Sequence, residues 1–165
     1  MSLQTLDGRE YLWQGDPHYW CDRAPILFPF VGRLTENSYR YGGQVYSMGI
    51  HGFAAHQDFS CLCPKPNRLV LQLTDNGETR EQYPFAFSLN IIYELIDNRV
   101  QVTYQVENTG TGMLPFGIGG HPGFRIPLEE GEQFDDYILD FTGGCQPDRV
   151  GFTPQVFLSG QDQPY

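Results

Sequence analysis

The chain of 165 residues is long enough to form one domain with a substantial core of its own. Its formal charge of −10 and its single lysine, Lys65, exclude the basic surface that a nucleic acid or an anionic membrane would require in a partner. Its 19 glycines and 12 prolines argue against long helices, whereas its 40% apolar residues argue against a disordered chain.

The first elements that the sequence predicts are strands joined by turns. Residues 39–48 (YRYGGQVYSM) place Gly42 and Gly43 between two Tyr-rich arms, and two glycines can take the positive φ angles of a tight hairpin turn. Residues 68–74 (RLVLQLT) alternate leucines with more polar residues, which predicts a half-buried strand. The polar connection that follows is predicted to turn at Asn76–Gly77.

Residues 84–96 and 99–108 are predicted to form a second hairpin, because Asp97–Asn98 between them tolerates left-handed backbone. Residues 135–141 (DDYILDF) indicate a further strand, and the chain beyond them has no convincing final strand or helix. No window of a dozen residues carries the apolar stripe of an amphipathic helix. We therefore expect an all-β fold of antiparallel strands, a sandwich or a curved sheet, with residues 1–165 in a single domain.

The four cysteines, Cys21, Cys61, Cys63 and Cys145, form neither a CxxC pair nor a zinc-binding spacing with histidine. Cys61 and Cys63 are two residues apart, which places both thiols on one face of a strand. We expect reduced, structural thiols.

The start of the chain lacks the pattern of a signal peptide, and no stretch approaches the roughly 18 apolar residues of a membrane span. A cytoplasmic protein with no membrane partner is expected.

Two of the four histidines have glycine neighbours: His51 in MGIHGFAAH and His121 in GIGGHPGF. Glycines remove side chains that would crowd the ring, so a ligand could approach it. Alternatively, both are turn histidines whose ring nitrogens bond to nearby carbonyl groups. His51 and His56 are five residues apart and do not converge on one ion on a strand or a helix, so no metal or other cofactor is expected. Acid–base chemistry by histidine remains, because imidazole titrates near neutral pH.

Arg33 follows the apolar, proline-interrupted run APILFPFVG, and the five N–H donors of a guanidinium suit sugar hydroxyls. A surface arginine paired with Glu36 is the alternative. The stretch YLWQGDPHYW adds three aromatic residues, Trp13, Tyr19 and Trp20. Their rings could pack on the apolar side of a pyranose or, equally, in a core.

Five stretches resemble, in this order, the aldose 1-epimerase (galactose mutarotase-like) family, especially its bacterial branch: EYLWQGDPHYW, APILFPFVGRL, YSMGIHGFAAHQDF, YPFAFSLNIIYEL and GIGGHPGFRIPL. The resemblance runs from about Glu10 to Leu128. It implies a large antiparallel β-sandwich, often called a supersandwich, with a sugar bound across the concave sheet and no cofactor.

The resemblance also implies residue roles. Arg33 matches the family's substrate-binding arginine. His51 matches the first active-site histidine, which contacts sugar hydroxyls. His121 matches the second active-site histidine, which acts as the general acid. Exchange of α and β anomers needs a proton at the ring oxygen while another leaves the anomeric hydroxyl, so an acid and a base must lie on opposite sides of the sugar. The expected function is an aldose 1-epimerase acting on a free hexose, with glycines clearing space for the ring of His121.

The family's base, a glutamate, and a substrate-binding aspartate lie well downstream of the second histidine, and this chain ends at Tyr165 before either of them. The strand that usually precedes EYLW is also missing or cut short. The acidic residues that do follow His121 are expected to be solvated loop carboxylates: Glu129, Glu130, Asp135 and Asp136. We therefore expect a truncated relative with low or no epimerase activity, whose incomplete sandwich leaves sheet edges that favour self-association.

Other functions stay open at this point. A non-catalytic sugar-binding module would keep Arg33, His51 and the aromatic residues without a base. An epimerase of hexose 6-phosphates would need a cationic pocket, which Arg23, Arg40 or Arg125 could form despite the charge of −10. A purely structural β domain is the third alternative.

Overall fold

A computed structural model describes residues 2–62 and 64–164 of the chain. The predicted placement of Cys61 and Cys63 on one strand face involves Cys63, which lies outside the described residues. Contacts between Cα atoms divide the chain into two compact units, Met1–Pro25 with Gly120–Tyr165, here called the terminal unit, and Ile26–Gly119, here called the sheet unit. The expected single domain stays a prediction.

Strands account for most of the regular structure. In chain order they are β1 (Ile26–Leu27), β2 (Ser38–Tyr41), β3 (Gln44–Ser47), β4 (Ser60–Cys61), β5 (Arg68–Thr74), β6 (Phe87–Ile96), β7 (Arg99–Asn108), β8 (Gly119–Gly120), β9 (Asp148–Arg149) and β10 (Gln163–Pro164). Among the described residues there is one α-helix, α1 (Gly77–Gln82), and there are 3₁₀ turns at Thr35–Asn37, Ala54–His56, Phe134–Asp136 and Thr142–Gly144. The predicted all-β, antiparallel fold class is confirmed.

The sheet unit is built on a four-stranded antiparallel sheet in the order β4-β5-β6-β7. β5 and β7 occupy the predicted residues, whereas β6 begins at Phe87 instead of residue 84. β6 and β7 pair over their full length, from Ile96 opposite Arg99 to Phe87 opposite Asn108, and Asp97 in the turn between them has a φ of 54°. The alternating pattern and the left-handed turn residue therefore predicted this hairpin correctly.

β2 and β3 form the other predicted hairpin, with Tyr41 opposite Gln44. Gly42 and Gly43 have φ angles of 56° and 81°, the left-handed conformation that glycine adopts without strain.

The core of the sheet unit is an aromatic cluster centred on Phe28, which is fully buried. Its ring centroid lies 5.1 Å from that of Phe87, 6.1 Å from that of Tyr83 and 6.2 Å from that of Phe53. The Tyr83 hydroxyl donates a hydrogen bond to the Pro115 carbonyl oxygen at 2.8 Å, and burial raises the pKa of the Tyr83 phenol. Buried rings of this size each contribute roughly 1.5–3 kcal/mol of transfer free energy to folding.

The polar connection after β5 forms a helix, so the predicted turn centred on Asn76–Gly77 is wrong. The Asn76 side chain accepts a hydrogen bond from the Thr79 N–H at 2.9 Å, and the Thr79 hydroxyl accepts one from the Asn76 N–H at 2.8 Å. This reciprocal pair satisfies two N–H groups at the start of α1, and Thr79 is fully buried. Asn76 is therefore a helix N-cap instead of a turn centre.

The strand predicted over residues 135–141 is absent from the described structure, and that prediction is wrong. Phe134–Asp136 forms a 3₁₀ turn, and Ile138 and Leu139 are 88% and 71% exposed. Because a strand needs a neighbour for stability, and none of the described strands lies beside this segment, its alternating pattern has nothing to pair with. Further along, β9 and β10 form a short antiparallel pair.

Three cysteines, Cys21, Cys61 and Cys145, are exposed thiols outside any disulfide, as expected of reduced cysteines. The expectation of structural thiols is wrong for these three, because exposed side chains take no part in core packing. Within the residues that the structure describes, no helix has the length and apolar character needed to cross a membrane.

Glu10 organises the first residues of the terminal unit and is only 7% exposed. Its carboxylate accepts hydrogen bonds from the N–H groups of Leu3 and Leu12, both at 2.9 Å, from the Gln4 side chain at 3.2 Å and from the Ser2 hydroxyl. The Ser2 hydroxyl and then the Leu3 N–H are the largest of the causes that lower the pKa of Glu10 from 4.5 to about 2.

Glu10 should stabilise the folded chain only while its carboxyl group is ionised. Because its pKa is lowered from 4.5 to about 2, this stabilisation is complete above about pH 4.5 and is lost as the pH falls towards 2. Between those pH values, the melting temperature of Glu10→Gln should therefore fall less steeply than that of the wild type. Glu130→Gln removes an exposed carboxylate and should follow the wild type. Equal slopes for the wild type and Glu10→Gln would contradict this role.

Candidate functional site

The turn that carries His51 is attached to the backbone of the buried Phe28. The Phe28 N–H donates to the His51 carbonyl oxygen at 3.2 Å, and the Phe28 carbonyl oxygen accepts from the N–H groups of Phe53 at 3.0 Å and Ala54 at 3.1 Å. Gly52 has a φ of +77°, and a Cβ at this position would lie 2.3 Å from the Phe28 carbonyl oxygen. Only glycine permits this approach, so the glycine of the HGF motif is a packing requirement of the turn.

Two hydrogen bonds join Gly32 to His51. The His51 N–H donates to the Gly32 carbonyl oxygen at 2.8 Å, and the Gly32 N–H donates to Nδ1 of the His51 ring at 3.0 Å. Because Nδ1 accepts a hydrogen bond, the proton of the neutral ring lies on Nε2, which is therefore a donor. The backbone of His51 has a φ of 64°, a conformation that is strained for a residue with a Cβ. The backbone of Gly32 thus sets both the position and the tautomer of the half-buried ring.

Arg33 follows Gly32 directly, so the same two hydrogen bonds place its segment beside the His51 turn. Arg33 is exposed, and among the described residues it takes part in no ion pair with Glu36 or another acid. The two residues expected to bind substrate are therefore carried by adjoining segments of the sheet unit.

His121 lies in the terminal unit, where its ring contacts Trp20. The two ring centroids are 5.0 Å apart and the ring planes are inclined by 59°. His121 is exposed and Trp20 is half-buried, and the His121 N–H donates to the Pro25 carbonyl oxygen at 3.1 Å. The backbone bond and the ring contact together restrict the orientation of the imidazole.

Gly123 packs against two tryptophans. The indole N–H of Trp13 donates to the Trp20 carbonyl oxygen at 2.7 Å, and the Trp13 N–H donates to the Gly123 carbonyl oxygen at 2.9 Å. A Cβ on Gly123 would lie 2.8 Å from Cβ of Trp13 and 2.9 Å from Cζ3 of Trp20. Glycine is required here so that the tryptophans can approach the backbone. That glycines also clear space around the ring of His121 stays a prediction.

The acidic residues that follow His121 lie on the surface of the terminal unit. Glu129 forms an ion pair with the Arg9 guanidinium at 2.6 Å, and Asp136 accepts a hydrogen bond from an N–H at the start of its own 3₁₀ turn at 2.7 Å. Glu130 and Asp135 are exposed. The contacts of Glu129 and Asp136 stabilise the loop.

An apolar cavity of about 510 Å³ lies in the sheet unit, lined largely by aromatic and aliphatic side chains together with Arg40. Neither Arg33 nor His51 lines it. Its polar groups are Arg40 and the hydroxyls of three tyrosines, Tyr39, Tyr41 and Tyr83. The cavity adjoins the segment of Gly32 and Arg33, because Val31 and Leu34 on either side of that pair line it.

The arginines considered for a phosphate group lie in different surroundings. Arg125 lines a pocket of about 280 Å³ together with Arg9, Asp7 and Glu10, so the two guanidinium charges of this pocket are matched by two carboxylates. Arg40 belongs to the sheet unit, and Arg23 belongs to the terminal unit.

The structure brings Arg33 and His51 together in the sheet unit and places His121 in the terminal unit. Sequence reasoning missed the bond from the Gly32 N–H to the His51 ring and the contact between Trp20 and His121. The sequence shows a glycine directly before Arg33 and a tryptophan in an aromatic stretch. Neither feature indicates which distant residue the glycine or the tryptophan contacts. Among the described residues, no three His, Cys, Asp or Glu side chains are grouped so as to hold a metal ion.

Comparisons with a family model and with curated proteins show which proteins this chain is similar to. A family model described as aldose 1-epimerase matches residues 1–146. The chromosomal LacX protein of Lactococcus lactis subsp. lactis is 37% identical over 147 residues, which cover 86% of this chain and 49% of the relative. The uncharacterized protein YihR of Escherichia coli K12 is 28% identical over 122 residues, which cover 69% of this chain and 39% of the relative. The chain spans about half or less of the length of these curated relatives.

Solved structures show the same fold. A galactose mutarotase related enzyme from Lactobacillus acidophilus matches 99% of this chain and 55% of its own chain, with 34% identity and a TM-score of 0.94. A galactose mutarotase-like protein from Lactobacillus casei matches 98% of this chain and 56% of its own, with 31% identity and a TM-score of 0.83.

Gly123→Ala should displace Trp20 and, with it, the ring of His121. The new Cβ would lie within 3 Å of both tryptophans, and overpacking of this kind costs about 1–3 kcal/mol. We expect a lower melting temperature and shifted NMR resonances of the His121 ring. In the matched control Gly112→Ala, the Cβ would meet nothing within 4 Å, and the His121 resonances should stay in place. If those resonances are also unchanged in Gly123→Ala, the packing role of Gly123 is wrong.

Proposed function

We propose, because this chain belongs to the aldose 1-epimerase family, that it carries the arginine and the two histidines of a site at which the α and β anomers of a free hexose interconvert. In this proposal Arg33 and His51 bind the sugar, and His121 transfers a proton as the general acid.

The hydrogen-bonded link between Gly32 and His51 carries the proposal. It joins the segment of the exposed Arg33 guanidinium to the segment of a histidine whose Nε2 is a donor. Sugar hydroxyls accept hydrogen bonds readily, and charged donors give the stronger ones. His51 thus provides a neutral donor held by the backbone, and Arg33 provides a charged donor.

Anomer exchange opens a cyclic hemiacetal. A proton is delivered to the ring oxygen, the bond between the ring oxygen and the anomeric carbon breaks, and the anomeric hydroxyl loses its proton to a base as the aldehyde forms. After rotation about the C1–C2 bond, the ring closes on the other face of the aldehyde, and both proton transfers run in reverse. The chemistry needs no redox step and no leaving group beyond the sugar's own oxygen.

His121 suits the delivery of a proton. Its imidazole is exposed, so it can exchange protons with water between turnovers, and the Trp20 ring limits its orientation. A general acid must come within hydrogen-bond distance of the acceptor oxygen. A ring with a restricted orientation loses less conformational entropy in doing so than a mobile ring does.

The base is the missing part of the proposal. Glu129 is paired with Arg9 and Asp136 caps a turn, so these two carboxylates serve the local structure. We therefore propose that this chain binds a hexose and interconverts its anomers slowly. Binding without any interconversion would identify the alternative, a non-catalytic sugar-binding module.

Arg33→Ala should weaken hexose binding. Loss of a hydrogen bond to a charged donor costs about 1.5–3 kcal/mol, which corresponds to a Kd raised roughly tenfold to a hundredfold. Isothermal titration with galactose and with glucose measures the change. Arg149→Ala, at an exposed arginine of β9 outside the proposed site, is the matched control and should bind like the wild type. Normal binding by Arg33→Ala would contradict the assignment of Arg33.

Mutarotation of freshly dissolved α-galactose, followed by polarimetry, tests the role of His121. We expect the wild type to exceed the buffer rate by only a small margin, and His121→Ala to remove that margin while hexose binding persists. An enhancement that survives His121→Ala would contradict the proton-transfer role. A large enhancement that His121→Ala abolishes would show that this chain does contain a base.

A further inference from the structure

Residues 32–37, here called the arginine loop, carry Arg33 and contain left-handed backbone at three positions. Gly32 has a φ of 98°, Glu36 a φ of 55° and Asn37 a φ of 49°. Glycine adopts this conformation without strain and asparagine tolerates it, whereas a glutamate in it is strained. Strained backbone persists only where the surrounding structure holds it, and it concentrates at binding and catalytic sites.

Glu36 and Asn37 form a tight turn at the end of the arginine loop. The Ser38 N–H donates a hydrogen bond to the Thr35 carbonyl oxygen across them. Two central residues with positive φ characterise a type I′ turn, which favours Asn and Gly because a Cβ, above all a branched one, crowds the backbone there. The path of the chain from Arg33 into β2 therefore depends on this left-handed turn.

Both ends of the arginine loop are bonded to one segment, residues 48–51. At one end, the N–H of the buried Met48 donates to the Asn37 carbonyl oxygen at 2.8 Å. At the other end, the His51 N–H donates to the Gly32 carbonyl oxygen at 2.8 Å. The segment that ends in His51 thus holds the loop that carries Arg33 at both of its ends.

His51 adds a further left-handed position to this pair of segments. Among the described residues, five non-glycine residues have a positive φ, and three of them lie in the arginine loop or in the segment bonded to it: Glu36, Asn37 and His51. Asp97, in the turn between β6 and β7, is a fourth. Left-handed backbone is therefore concentrated around the two residues proposed to bind the sugar.

We propose that Asn37 is a positioning residue for Arg33, because its left-handed backbone holds the arginine loop against residues 48–51 before a sugar binds. Its effect on sugar binding rests on the function proposed above, in which Arg33 binds a hexose. A loop that is already held in its binding conformation loses less conformational entropy on binding than a mobile loop does. Asn37 acts through the backbone and makes no contact of its own with the sugar.

Hydrogen exchange of the free protein, followed by NMR, tests the positioning without any sugar. Asn37→Val introduces a β-branched residue that avoids positive φ, so the amide protons of Met48 and His51 should exchange roughly tenfold faster than in the wild type. Asn37→Gly also removes the amide side chain but keeps the positive φ, so both protons should exchange within about threefold of the wild-type rate. Wild-type exchange in Asn37→Val would overturn the proposal.

Galactose binding, measured by isothermal titration, tests the consequence for Arg33. The Kd should rise roughly tenfold in Asn37→Val and stay within about threefold of the wild-type value in Asn37→Gly. In the Arg33→Ala background, Asn37→Val should not weaken binding further, because the turn acts through Arg33. Additive losses in the double variant, or equal losses in Asn37→Gly and Asn37→Val, would overturn the proposal.

Asp97→Val is the matched control, because it introduces the same side chain at a left-handed position outside the arginine loop. It should lower the melting temperature as Asn37→Val does. The exchange of the Met48 and His51 amide protons and the Kd for galactose should keep their wild-type values. Binding that is weakened equally in Asp97→Val would show that Asn37→Val acts through lost stability, and the positioning role would be wrong.

The two measurements separate the positioning role from the proposed function. If the wild type binds no galactose, or if Arg33→Ala binds it normally, the proposed function is wrong, and the exchange rates still decide whether Asn37 holds the loop. If Arg33→Ala weakens binding and Asn37→Val does not, the proposed function stands and the positioning role is wrong.

Discussion

The buried Phe28 determines where His51 lies, because one residue supplies both the centre of the aromatic core and the attachment of the turn. Its ring packs against Phe53, Tyr83 and Phe87, while its N–H and C=O groups make three hydrogen bonds to the HGF turn. Gly52 lets the two backbones meet. Any repacking of the core therefore moves the candidate site, so the stability of the sheet unit and the geometry of His51 are coupled.

The two histidines are held in different ways, and the difference matches the different tasks proposed for them. His51 has its Nδ1 bonded to a backbone N–H, so its Nε2 is a fixed donor, as a binding residue requires. His121 is exposed and contacts an aromatic ring, so it can exchange protons with water and still keep its orientation, as a proton donor requires. Backbone contacts support the first proposed role, and aromatic packing supports the second.

Local patterns predicted the strands and turns correctly where neighbours in sequence decide them, as at residues 68–74 and 99–108 and at Gly42–Gly43. The resemblance identified the family, which the match over residues 1–146 confirms. Asn76 was misread because an Asn-Gly pair can open a turn or a helix, and only the reach of Asn76 to Thr79 decides between them. Hydrogen bonds between distant segments, such as the one from Gly32 to the ring of His51, depend on the fold. Local sequence patterns therefore do not predict them.

The proposed sugar site requires that His51 offer its Nε2–H to a hydroxyl while the Gly32 N–H binds Nδ1. Long-range ¹H–¹⁵N spectra of the histidine rings report directly which nitrogen carries the proton. We predict a protonated Nε2 and an unprotonated Nδ1 for His51 in the free protein, with a change in the Nε2 resonance when galactose is added. A proton on Nδ1, or His51 resonances that do not respond to the sugar, would contradict this assignment.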